Sequence, residues 1–284
     1  METTDNTTKS PSLMTMDEFL EYLETRGSRN ATSPGASTGI VGYPPAPAAP
    51  EEAVEPVTMP PLETEPSTPA LDVAGKVRDE IAKLVLNLFL LPAAQAQARR
   101  QVIFAGAEAG AGSSWMCARV AEVLASQVRG SVCVVDCNLR SPGLHRQFAV
   151  DNHFGLSDAL LRSDPLQQYV RQLSRKNLWL LSCGSSTENW EEKVGSGSLR
   201  LRLAELRAQF DYVLMDVAST NTCNDGIVLG SSSDGIVLVL KANCTRRDVA
   251  RKALQELKAA NVPVLGAVLN QRTFPIPDNI YNSL

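Results

Sequence analysis

Residues 106 to 114, Gly-Ala-Glu-Ala-Gly-Ala-Gly-Ser-Ser, are the first stretch of this chain whose composition could do chemistry. Side chains this small let the backbone N–H groups of Gly106, Gly110, Ala111, Gly112, Ser113 and Ser114 turn inward around an anion. A helix opening there, with Trp115 in its first turn, adds its positive end. That is the makeup of a phosphate-binding loop. Its strict form closes on Gly-Lys-Ser/Thr, whereas Gly112 is followed by Ser113 and Ser114. Small residues also serve close strand–helix packing, so the loop needs corroboration. Two acids supply it: the apolar runs Val132 to Asp136 and Tyr212 to Asp216 each end in a carboxylate. Carboxylates at the tips of two buried strands, on the loop's side of a sheet, can hold Mg²⁺ or orient an attacking group. The plainer alternative is that each acid merely caps the turn after it.

The elements that must position these residues follow from periodicity. Short apolar runs over Gln101–Ala105, Ser131–Asp136, Leu178–Ser182, Tyr212–Asp216, Gly235–Leu240 and Val262–Leu269 read as buried strands. Helical patterns over Ser114–Gln127, Arg200–Gln209 and Thr245–Ala260 lie between them. Strands of continuous Val, Leu and Ile separated by helices predict a three-layer α/β domain, a mostly parallel, doubly wound sheet covered on both faces. Ligands of such sheets bind beyond the carboxyl ends of the strands, where the loop and both acids fall. Ahead of the sheet, Leu71, Ala74, Val77, Ile81, Leu84, Val85 and Leu88 keep a 3.6-residue stripe that predicts an amphipathic helix over 71–91.

Charge divides the chain at about residue 70. Residues 1–70 hold eleven of the 17 prolines and eleven Asp/Glu against Lys9, Arg26 and Arg29, a balance of −8. The whole chain carries −4, so residues 71–284 carry +4. Residues 1–70 are expected to form a disordered, acidic, proline-rich tail with too little to bury. A short helical island near 14–24 interrupts it, where Met16, Phe19, Leu20 and Leu23 recur at helical spacing. Such a helix is marginal alone and could instead be a docking segment that folds into a partner's groove.

A balance of +4 is too weak to argue for nucleic acid. No apolar run reaches the length of a membrane span, and METTDNTT is no secretory signal, so a cytoplasmic location is expected. The six cysteines form no Cys-x-x-Cys, and buried free thiols are expected. Cys133, Cys137 and His145 lack a fourth ligand suitably spaced for zinc.

The loop, the two acids and the segments around them resemble the deviant-Walker P-loop ATPases. Within these, the likeness is to the bacterial tyrosine kinases (BY-kinases) of the cytoplasmic CpsD/CapB-like kind, and it spans about residues 71–284. Asp136-Cys-Asn-Leu-Arg-Ser-Pro is similar to the family's Walker A′ segment, with Asn138 at its second acid, and Phe210 to Asp216 resembles Walker B. Val268-Leu-Asn270 resembles a closing segment whose Asn recognises adenine. The resemblance implies ATP and Mg²⁺ as cofactors. Gly106, Gly110, Ala111, Gly112, Ser113, Ser114, Trp115 and Asn270 would be nucleotide-binding, Ser114, Asp136 and Asp216 metal-binding, and Asp136 and Asp216 catalytic. It also implies a membrane polysaccharide co-polymerase or other export protein as partner, attachment to the inner membrane through that partner, and a homo-oligomer through the helix at 71–91.

The departures shape the expected function. The family's phosphate lysine falls on Ser113, and a second lysine found in related ATPases falls on Glu108, an anion facing anions. The tail carries one tyrosine, Tyr281, where active relatives carry a cluster. The chain therefore reads as a degenerate BY-kinase, a regulatory or adaptor component of exopolysaccharide export with weak or absent nucleotide turnover. The alternative is an active autokinase that recruits its cation elsewhere, with Arg119 and Arg140 as candidates.

Overall fold

The computed structural model describes residues 10–24, 75–91, 99–185, 197–222 and 224–272. Strand β2 (Gln101–Gly106) explains why the apolar runs are continuous. Its residues alternate between two cores, Ile103 and Ala105 facing one and Val102 and Phe104 the other, so neither face can be polar. The other strands are β1 (Ser10–Met14), β3 (Val132–Asp136), β4 (Val170–Gln172), β5 (Leu178–Leu181), β6 (Tyr212–Val217), β7 (Gly235–Lys241) and β8 (Val264–Arg272). They form one sheet in the order β1-β8-β7-β2-β6-β3-β5-β4. The six inner strands are parallel, while β1 and β4 pair antiparallel at the two edges.

Helices cover both faces. On one side lie α2 (Gly75–Val85), α3 (Ser113–Gln127) and α4 (Leu144–Gln147). On the other lie α1 (Met16–Glu24), α5 (Leu156–Leu161), α6 (Gly197–Gln209), α7 (Asp225–Gly230) and α8 (Arg247–Ala259). The chain thus has the expected doubly wound, three-layer architecture.

The N-terminal region departs from the expectation of a disordered tail over 1–70. The helix expected near 14–24 is present over 16–24, but it packs on this chain's own domain rather than in a partner's groove, with Phe19 and Leu23 buried, and residues 10–14 form an edge strand. The tail's few apolar residues gain a core they could not build themselves, which offsets the entropy of ordering them. The rest of the tail, 25–70, lies outside the described residues.

The apolar stripe of α2 points into its own domain: Val77, Ile81, Leu84, Val85 and Leu88 are buried against the α3 side of the sheet. The helix closes in a π turn over Leu86–Leu90, in which Leu91 donates its N–H to the carbonyl of Leu86 at 2.8 Å. The predicted first turn, 71–74, lies outside the described residues. Cys117, Cys133, Cys137 and Cys183 are buried free thiols; Cys244 is exposed, contrary to a wholly buried set, because it sits in the turn after β7. No helix among the described residues is long and apolar enough to cross a membrane.

Candidate functional site

The loop 106–112 runs from the carboxyl end of β2 into α3, and its geometry is imposed by glycine. Gly110 and Gly112 have φ of +77° and +88°, the left-handed region that side chains disfavour. A Cβ at Gly106 would meet the carbonyl oxygen of Glu108 at 2.7 Å. The first turn of any helix leaves N–H groups without an intrahelical partner, and Ser113 and Ser114, in the first turn of α3, line a cavity of about 390 Å³. Gly110 and Gly112 line the same cavity. Gly106, Ala111, Trp115, Asp136, Asp216 and Asn270 do not line it.

The two acids come together as expected, but with unequal surroundings. Asp136 and Asp216 are register partners on adjacent strands β3 and β6, and both are fully buried. Asp136 accepts N–H bonds from Asn138 at 3.2 Å and from Gly143 and Leu144 at 3.0 Å. Burial pushes its carboxyl up to about 6, against the pull of those N–H groups and of the Arg146 guanidinium. Asp216 is held well above the usual carboxylate range, first by burial and then by the charge of Asp136. The hydroxyls of Ser114 and Ser113 pull the other way. Neither completes a hydrogen bond of ordinary geometry, so both Asp216 oxygens are orphaned.

These features fit a phosphate and a divalent cation in part. The left-handed glycines and the helix start at Ser113 suit a phosphate; the orphaned Asp216 oxygens, with the Ser114 hydroxyl beside them, suit a hard cation. Asp136 would contribute chiefly charge, its oxygens being engaged by backbone. A bound Mg²⁺ would neutralise phosphate charge.

The cavity's cations are not those of the loop. Arg119 is excluded as a substitute: it is buried, paired with Glu122 at 2.8 Å, and donates to the carbonyl of Gln147 at 3.3 Å. It lies on a face of α3 that packs against α4, and it does not line the cavity. Arg140 does line the cavity, and so does Arg146, which the sequence reading did not single out. Arg146 donates to the carbonyl of Pro142 at 2.6 Å. It stands ten residues after Asp136, just beyond the segment resembling Walker A′, so no motif marks it. Glu108 also lines the cavity, and its carboxylate accepts the Thr245 hydroxyl at 2.6 Å. Asn270, which the resemblance assigns to adenine, is held against the loop: its Nδ2 donates to the carbonyl of Ala111 at 2.9 Å and its Oδ1 accepts the N–H of Gln271 at 2.9 Å. Tyr281 lies outside the described residues.

No family model matches the chain. Among individual proteins, the tyrosine-protein kinase YwqD of Bacillus subtilis is 31% identical over 171 residues, 60% of this chain and 72% of YwqD. The chain belongs to the bacterial tyrosine kinases. Another relative of this kinase-family chain is the succinoglycan biosynthesis transport protein ExoP of Rhizobium meliloti, 25% identical over 175 residues, 61% of this chain and 22% of ExoP. The crystal structure of the chimerical protein CapA2B2 shares the fold, with a TM-score of 0.66 at 22% identity over 72% of this chain and 88% of that one.

Proposed function

We propose that this chain is a degenerate member of its kinase family, a regulatory or adaptor component of exopolysaccharide export whose nucleotide turnover is weak or absent. The observation that carries the reading is the loop itself. Ser113 occupies the place where the family's motif has its lysine, and Glu108, which lines the cavity, brings a carboxylate that the Thr245 hydroxyl holds. A preorganised cation at that point stabilises charge on transferring phosphate, and a fixed carboxylate opposes it. Family membership supports ATP with Mg²⁺ as the ligand class, and ExoP's role in polysaccharide transport supports a membrane co-polymerase or other export protein as partner. The chain would then work on the cytoplasmic side of the inner membrane through that partner. A homo-oligomer through α2 would have to use the outer face bearing Arg78, Lys83 and Leu86, because the apolar stripe is buried. Calorimetric titration with Mg-ATP is expected to give a dissociation constant weaker than about 100 μM. Micromolar affinity together with hydrolysis or tyrosine phosphorylation contradicts the reading.

A second reading, an active kinase or ATPase, is favoured by Arg140 and Arg146 on the cavity wall. It requires turnover that disappears in Asp216→Asn; equal signal from the two proteins removes it.

A further inference from the structure

Residues 10–24 are remote in sequence from the phosphate-binding loop yet stand one side chain away from it. β1 covers the outer edge of β8, which alone would present unpaired N–H and C=O groups. The register runs Met14–Ala267, Leu13–Val268 and Ser12–Leu269, then jumps to Ser10–Arg272. Pro11, with no N–H to give a ladder, therefore stands opposite both Asn270 and Gln271. The extra residue is a β-bulge, with Gln271 at φ +58°, and bulges re-aim side chains. The side chain re-aimed here is Asn270, whose amide bonds Gln271 on one side and Ala111 on the other. It lies so close to Gly112 that a Cβ there would overlap Nδ2.

The segment has its own anchors. Thr15 and Glu18 form a capping box: the Thr15 N–H donates to the Glu18 carboxylate at 2.7 Å and the Glu18 N–H to the Thr15 hydroxyl at 3.3 Å. Phe19 and Leu23 enter the core that contains Ala250 and Leu254 of α8. From α8, Arg247 sits 4.7 Å over the ring of Tyr22, and Arg251 donates to the carbonyl of Leu23.

We infer that β8 and α8 form a docking site for the chain's own residues 10–24, and that docking there sets the phosphate-binding loop through the bulge at Asn270. Release of the segment uncovers the β8 edge, relaxes the bulge and loosens Ala111 and Gly112. Occupancy of the edge thereby becomes a control on the cavity, and it operates whether or not nucleotide binds.

The test is amide hydrogen exchange on the full-length chain without nucleotide. Phe19→Asp should speed exchange in 106–114 by about tenfold or more while β3 and β5 keep wild-type rates. Unchanged loop exchange overturns the inference, and so does equal acceleration in β3 and β5, which would make α1 only a part of the global fold. Asn270→Ala, with the segment still docked, should loosen the loop to the same extent. The double variant should add nothing further, and independent, additive effects overturn the coupling.

Discussion

Asp136 and Asp216 face each other as register partners at the carboxyl ends of β3 and β6, the first receiving three backbone N–H bonds and the second none. Two buried carboxyls this close cannot both ionise without a cation, and the loop residue that would stand beside them, Ser113, offers none. Both folded-state values lie above the ordinary carboxylate range. The folded chain thus binds more protons than the unfolded one as pH climbs from about 4 through about 6, and stability falls over that span. Asp216→Asn should remove much of this loss. Thermal denaturation at pH 7.5 is expected to show the variant more stable by about 1–3 kcal/mol, with the gap closing near pH 4. A variant less stable at neutral pH would show that Asp216 is not an uncompensated group.

Gly112→Ala should damage the loop more than an ordinary surface change. Its φ of +88° costs a side chain about 1–3 kcal/mol, and the new methyl collides with the Asn270 amide. Loss of the Asn270 to Ala111 bond should accompany the loss of stability, visible as faster exchange of the loop amides. Wild-type stability in Gly112→Ala contradicts this packing.

Two arginines should separate cleanly. Arg119→Ala strands the partly buried Glu122 and empties a packed site, so a loss of about 3 kcal/mol in denaturant unfolding is expected, with displacement of a fluorescent nucleotide unchanged. Arg146→Ala should leave stability within about 0.5 kcal/mol and weaken whatever phosphate binding exists by about tenfold, the scale of one charged hydrogen bond. The reverse pattern would place the functional cation on α3.

The sequence exposes the inner sheet because strands buried on both faces leave continuous apolar runs, as Ile236 to Leu240 does. The loop and both acids are legible for a related reason: they sit where such runs end. β1 is not legible. Ser-Pro-Ser-Leu-Met has no alternation and contains proline, and only the β8 edge makes it a strand. The three-residue β4 depends likewise on its neighbour β5. Arg119 misleads because α3 is buried around almost its whole circumference, so helical spacing does not tell which residues face the loop. Asn270 shows the remaining limit: a bulge turns its amide toward the loop, and no motif records a bulge.

Turnover by the wild-type chain, compared with Ser113→Lys and Asp216→Asn under saturating Mg-ATP, tests the central claim most directly. Phosphate release and tyrosine phosphorylation are read together. The account predicts that wild type is indistinguishable from Asp216→Asn, and that Ser113→Lys binds Mg-ATP about 10- to 100-fold more tightly, the range for one charge-assisted contact. Wild-type turnover that Asp216→Asn abolishes, and that Ser113→Lys does not increase, would contradict it.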